Sequence, residues 1–133
     1  MRERIVMFDS SAVLAILKEE PGHRQLHPRV EAAEGLAIGA PTLFETAMVA
    51  IGQLGGEGEV MVGQFLEDWE VDVLPFGEGH WRVADDAFIR FGKGRHPAAL
   101  NYGDCMTYAS ARLAGASLLF TGNDFAKTDI PPA

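Results

Sequence analysis

Four short, largely apolar runs recur along this chain: Ile5-Val-Met-Phe8, Leu36-Ala-Ile38, Val71-Asp-Val-Leu74 and Ser117-Leu-Leu-Phe120. Each has the length of a buried strand. The segments between them carry helical spacing and helical stop signals. Ala12–Glu20 ends at Pro21-Gly22, and Gln25–Ala33 follows with Pro28 near its start. Pro41–Leu54 places Leu43, Ala47, Ala50, Ile51 and Leu54 at three- and four-residue steps before Gly55-Gly56. Glu59–Trp69, Glu78–Phe91 (closed by Gly92) and Asn101–Ala114 (closed by Gly115) complete the set, with a marginal last strand near Asp129-Ile130. Strands that alternate with helices are joined by crossovers, and crossovers make the pairing parallel. The expected fold is therefore α/β: a three-layer α/β/α domain with a short central parallel sheet, spanning 1–133.

That architecture directs attention to one edge. Open parallel sheets bind ligands beyond the carboxyl ends of their strands. Asp9 follows the first strand. Glu45 lies in the first turn of the helix after the second. Asp104 opens the helix that leads into the fourth, and Asp124 follows the turn after the fourth. Each acid also has a local explanation. Asp9 and Asp124 suit helix starts, and Thr42-Leu-Phe-Glu45 and Asn101-Tyr-Gly-Asp104 have capping-box spacing. Pro41 weakens the first box, because Pro prefers the first helical position and makes Ala40 the cap.

Four caps have no reason to converge. Four carboxylates at one point repel, and a hard divalent cation offsets that repulsion. Mg²⁺ and Mn²⁺ suit carboxylate and water ligands. The chemistry this set serves is metal-assisted hydrolysis of a phosphodiester.

The segments Val6-Met-Phe-Asp-Ser-Ser-Ala12, Pro41-Thr-Leu-Phe-Glu-Thr-Ala47, Tyr102-Gly-Asp-Cys-Met-Thr-Tyr-Ala-Ser-Ala-Arg112 and Leu118-Leu-Phe-Thr-Gly-Asn-Asp-Phe125 resemble the PIN-domain family, in the style of VapC-type toxins. The resemblance implies a Mg²⁺- or Mn²⁺-dependent endoribonuclease acting on RNA (tRNA, rRNA or mRNA), a homodimer and a cognate small antitoxin. It makes Asp9 and Asp104 the most direct metal ligands, with Glu45 and Asp124 completing the site. Ser11 and Thr121 match small polar positions that support the acids, as Asn123 does in part. Asn123 stands where the family often has another acid, which leaves open one metal ion or two.

Composition narrows the remainder. The lone Cys105 fits a reducing cytoplasm and reads as a small buried thiol. No apolar run is long enough to cross a bilayer. The net charge of −8 argues against a broad nucleic-acid surface, but it is uneven: no Lys or Arg lies between Arg29 and Arg82. Lys93, Arg95 and His96, in the loop before Asp104, are either RNA-phosphate contacts or a solvated loop. Arg112 either steers phosphate or pairs with a nearby acid. His23 and His27 read as surface histidines, Gly52, Gly55 and Gly58 as a flexible turn. Phe44, Met48 and Ile51 form an apolar stripe suited to a partner.

Two further readings stand beside the nuclease. One is a catalytically silent domain of the same fold that binds an antitoxin and serves regulation. The other is an aspartate-nucleophile phosphatase, disfavoured because Ser11 stands where its second acid belongs.

Overall fold

The computed structural model describes residues 4–133; the expected domain span includes residues 1–3, which lie outside them. Four strands, β1 (Ile5–Phe8), β2 (Gly35–Gly39), β3 (Val71–Leu74) and β4 (Ser117–Leu119), form one sheet in the order β3-β2-β1-β4. Every pairing is parallel, with Val6 opposite Leu36 and Ser117, and Ile38 opposite Val73. Six helices surround it: α1 (Ser10–Leu17), α2 (His27–Glu31), α3 (Ala40–Leu54), α4 (Gly56–Asp68), α5 (Glu78–Phe91) and α6 (Tyr102–Ala114).

The period-two alternation of β1 divides the interior. Val6 and Phe8, with Ile38 and Leu119, face a core shared with Val13, Val30 and Phe65 of α1, α2 and α4. Met7, with Ala37 and Leu118, faces a second core shared with Phe91, Cys105, Tyr108 and Phe125. These are the two outer layers of the expected sandwich. Helix α3 packs against α1, α4 and α6, and so joins the layers.

The expected Gln25–Ala33 helix is split into a 3₁₀ turn at His23–Gln25 and the short α2, where Pro28 occupies the first turn. His23 and His27 are half-buried rather than surface residues. Their rings meet edge-on at 5.9 Å, and His27 packs on Trp69 at 5.5 Å. Helix α4 starts at Gly56, three residues early, because Gly55 at φ +67° reverses the chain in one step. Gly58 is not a flexible turn residue: it is buried where α4 crosses α3, and a Cβ there would enter the Ala50 carbonyl. The last strand reduces to a single parallel bridge between Leu118 and Pro132, two residues beyond its expected position.

The chain builds outward from β1 to β3, then crosses to the other side of β1 for β4. The topological switch point thus lies beside the carboxyl end of β1, where Asp9 stands.

Candidate active site

Asp9 caps α1 and is nearly inaccessible, at 5% exposure. Its Oδ2 accepts from the Ser11 backbone N–H at 3.1 Å and from the Ser11 hydroxyl at 2.5 Å. The Ser11 oxygen in turn accepts from the Thr121 N–H at 3.0 Å. One hydroxyl therefore ties the first acid to the loop that carries the fourth. The Asp9 N–H donates to the Leu119 carbonyl at 2.9 Å, which anchors the same junction through the backbone.

Glu45 is released from the capping role that its sequence allowed. Gly39, not Ala40, is the N-cap of α3, and no side chain caps that helix. Pro41 fits one position further in than expected, which carries Thr42 inside the first turn. There Thr42 is buried and bonds the Thr107 hydroxyl at 2.7 Å. The Glu45 carboxylate lies instead over the backbone of α6: a Cβ on Gly103 would stand 2.6 Å from Glu45 Oε2. Burial raises the Glu45 carboxyl, the Asp9 charge raises it further, and a hydrogen bond from Ser10 opposes both.

Asp104 keeps its capping role. Its N–H donates to Asn101 Oδ1 at 2.9 Å, and its Oδ2 accepts from the Asn101 N–H at 3.1 Å. The carboxyl is nevertheless pushed up to about 6. Burial contributes most, the Asn101 bond opposes it, and the charges of Asp9, Asp124 and Glu45 add to the rise. Asp9 is raised as well, by burial, against hydrogen bonds from Ser11, Ser10 and Thr107. Asp124 begins the 3₁₀ turn Phe125–Lys127 and makes no capping bond with its side chain. Thr121, Asn123 and Asp124 are exposed. The four acids thus share one electrostatic neighbourhood.

Among the described residues, no group of three or more His, Cys, Asp or Glu is gathered closely enough to hold an ion as it stands. Coulombic coupling reaches further than coordination, so the acids can influence one another's protonation without being gathered for coordination. Their donors are all hard oxygens, and because Gly103 has no side chain the Glu45 carboxylate lies against the first turn of α6, which carries Asp104. This donor set fits a hard divalent cation.

The basic residues fall in two places. Lys93 and Arg95 are exposed in the loop between α5 and α6, whose ends meet where the Leu100 N–H donates to the Phe91 carbonyl. Arg112, by contrast, is engaged with an acid: it pairs with Asp129 at 2.8 Å and donates to the Tyr108 hydroxyl at 3.0 Å. Of its two expected roles, the structure realises the ion pair. Cys105 is buried, and burial, then the Asp104 charge, pushes its thiol up to about 11.

A family model described as the PIN domain matches residues 6–131. The chain belongs to the PIN-domain family. A VapC ribonuclease of Mycobacterium bovis is 38% identical to this PIN domain over 126 residues, 94% of this chain and 91% of the relative. Ribonuclease VapC30 of Mycobacterium tuberculosis is 36% identical over 125 residues, 94% of this chain and 95% of the relative. Among solved structures, Mycobacterium tuberculosis VapC20, a sarcin-ricin loop cleaving toxin, superposes with a TM-score of 0.77 at 16% identity, covering 96% of this chain and 98% of that one. VapBC-1 of nontypeable Haemophilus influenzae gives 0.77 at 20% identity, covering 97% and 96%. At those identities the likeness is one of fold.

Four site residues of this PIN domain escaped the sequence reading: Ser10, Thr42, Gly103 and Thr107. Gly103 carried a usable signal, since Gly in the first turn of a good helix is costly unless something approaches its backbone. Thr107 lies one turn after Asp104, on the same helix face.

Proposed function

We propose that this PIN domain is the endoribonuclease toxin of a toxin–antitoxin pair. One observation carries the reading: the Glu45 carboxylate lies on the α6 backbone at Gly103, next to Asp104, while the Ser11 hydroxyl ties Asp9 to the loop that carries Asp124. Its identity of 36–38% to proteins named VapC ribonucleases supports the same conclusion.

Asp9 and Asp104 hold a divalent cation, Mg²⁺ with Mn²⁺ able to substitute, and Glu45 and Asp124 complete the set. When bound, that ion supplies Lewis-acid polarisation of a phosphoryl oxygen and water activated near neutral pH. Ser11, through the Thr121 N–H, keeps the loop after β4 against Asp9, and Asn123 lies exposed in that loop beside Asp124. Lys93 and Arg95 attract RNA phosphates. Cys105, buried and protonated at neutral pH, takes no part as a nucleophile, so water is the attacking group. The RNA is tRNA, rRNA or mRNA.

Partners meet the apolar face beside the acids. A groove of about 810 Å³ runs between α3 and α6, lined by Phe44, Met48, Phe76, Tyr102 and Met106, with Glu45 on its wall. Phe44 is 66% and Tyr102 82% exposed. Apolar surface of this kind suits a protein partner, either a second copy of the chain or the antitoxin. Solved structures of the same fold include a toxin–antitoxin complex from Klebsiella pneumoniae.

The test uses the protein purified free of partner, a panel of RNAs, and Mg²⁺ or Mn²⁺ against a chelator. Cleavage that requires the ion, and its loss in Asp9→Asn, is the expected result. A second reading, the silent binding module, has one observation on its side: no three of these groups are gathered for a metal among the described residues. Asp9→Asn with unchanged RNA cleavage and unchanged toxicity decides for that module.

A further inference from the structure

A second cavity, of about 420 Å³, lies between α5 and α6 and is left unused by the proposed chemistry. Its walls are aromatic: Phe76, Trp81, Phe88 and Tyr102 border it, and Met106 joins them. Trp81, Phe88 and Tyr102 are all exposed to solvent. Aromatic surface left open in one place adds little to folding and marks a binding site.

The cleft adjoins the acids. Phe76, Tyr102 and Met106 border both this cavity and the groove that has Glu45 on its wall. Tyr102 opens α6 directly before Gly103, on which the Glu45 carboxylate lies, and two residues before Asp104. The reciprocal bonds between Asn101 and Asp104 fix the backbone of that turn, and with it the base of the Tyr102 side chain.

Charge is divided across the cleft. Among the described residues no Lys or Arg lines it, and Asp85 does, so its interior repels phosphate. Two guanidiniums rest instead on its rings: Arg82 stands 5.1 Å from the centre of the Trp81 ring, and Arg95 stands 5.9 Å from that of Phe88. Arg82 also makes an exposed pair with Glu78 at 3.3 Å, and Arg95 donates to the Ile89 carbonyl at 3.2 Å, so neither charge is neutralised by a buried acid. An uncharged flat group inside and an anion outside are the two halves of a nucleotide. Single-stranded RNA is held in this way, with bases on aromatic rings and phosphates on cations. An apolar protein segment would match the rings but not the guanidiniums laid on two of them.

We propose that the cleft between α5 and α6 is a base-binding subsite, in which an unpaired nucleobase next to the cleaved phosphodiester stacks on Tyr102 and Trp81 while its phosphates lie toward Arg82 and Arg95. The proposal deepens the reading of this chain as a ribonuclease and rests on it for the place of the base beside a cut.

The test is equilibrium binding by fluorescence anisotropy, in chelator so that no RNA is cut. Two labelled probes are used: a short single-stranded RNA of mixed sequence, and the same sugar-phosphate chain without bases. Loss of a stacking ring costs about 5- to 100-fold in affinity, so Tyr102→Ala and Trp81→Ala should each weaken binding of the intact RNA by that factor. Tyr102→Phe keeps the ring and stays within about twofold. The abasic chain binds the parent more weakly, and on it the alanine variants lose nothing further, as a contact between ring and base requires. Arg82→Ala weakens both probes alike. Parental affinity of Tyr102→Ala and Trp81→Ala for the intact RNA overturns the subsite, as do equal losses on both probes. If those variants bind RNA like the parent but sediment differently, the cleft is an interface between protein chains and the proposal fails. Melting curves check folding. Should an alanine variant unfold, Tyr102→Leu, which keeps apolar bulk without a ring, decides: parental affinity there overturns the subsite. Cleavage with Mn²⁺ separates the two levels. If the parent cuts no RNA while Tyr102→Ala weakens binding, the nuclease reading fails and only RNA binding by the cleft stands. If Asp9→Asn abolishes cutting while Tyr102→Ala binds like the parent, the subsite alone fails.

Discussion

Asp104→Asn should make the protein more stable while removing its activity, with a pH signature. Folding pushes the Asp104 carboxyl up to about 6 from an ordinary 3.8. A raised acid favours the protonated folded state. Its contribution is complete below the ordinary value and is lost as the pH rises through the folded one. The native protein therefore gives up stability between about pH 4 and 7. Taken at full weight the difference is about 3 kcal/mol, at about 1.4 per pH unit. Asp104 is only half-buried, and solvent screening reduces this to about 1.5 kcal/mol. Asn still accepts from the Asn101 N–H but forfeits the attraction of a charge for the α6 N-terminus, about 0.5 kcal/mol. The net gain is about 1 kcal/mol at pH 7.5, a rise of about 3 °C in melting temperature for a chain of this size. The assay is thermal unfolding by circular dichroism at pH 4.5 and 7.5, in low salt with a chelator. Asp104→Asn should melt higher at pH 7.5, with the difference nearly gone at pH 4.5. A variant that melts lower than the parent by the same margin at both values would show Asp104 to be a cap and nothing more.

Gly103→Ala places a methyl group 2.6 Å from Glu45 Oε2, so it displaces the flexible end of that carboxylate. Cleavage should fall about 10- to 100-fold, as for a ligand misplaced by an ångström, while the melting temperature holds or rises because Ala favours helix over Gly. A parallel loss of stability and activity would contradict this. Asp129→Asn does the reverse. Asp129 accepts from the Tyr108 hydroxyl at 2.6 Å and pairs with Arg90 at 2.9 Å and Arg112 at 2.8 Å, and these contacts hold its carboxyl below the ordinary range despite some burial. A lowered acid stabilises above its ordinary value and loses that contribution as the pH falls through the folded one. The variant should unfold at lower urea than the parent at pH 7, converge with it in acid, and cleave RNA at the parental rate.

The sheet was legible because four short apolar runs separated by helical repeats admit one economical architecture. Boundaries failed where a single residue outweighed the pattern. Pro28 broke one helix, and Gly55 at φ +67° joined two helices that composition had separated by a loop. The acids were legible because topology alone places Asp9, Glu45 and Asp124 after strand ends. The hydroxyls were not. Thr42 has the spacing of a cap, and only the shift of α3 by one residue, with Gly39 as its N-cap, carries it inward to Thr107. The Arg112–Asp129 pair joins segments 17 residues apart and has no local signature in either.

The net charge of −8 looks hostile to an RNA enzyme, yet a sum is not a field. Ten of the nineteen carboxylates fall between Val30 and Trp81, where no Lys or Arg stands. Of these, Glu45 alone reaches the site. Glu57, Glu59, Glu67 and Asp68 are exposed on α4, and Asp72 is exposed on β3, the strand at the far edge of the sheet from β4. Arg82, Arg90, Lys93 and Arg95 belong to α5 and the loop after it, against α6. The protein is divided into an acidic flank and a mixed one, and the site lies at their junction. On the proposed reading, phosphates approaching over the loop before α6 meet the exposed Lys93 and Arg95, and at physiological salt charges more than a Debye length of about 8 Å from that path are largely screened. A salt titration of RNA cleavage distinguishes this arrangement from a uniformly acidic surface: here added salt weakens binding, whereas on a uniformly repulsive surface added salt would strengthen it.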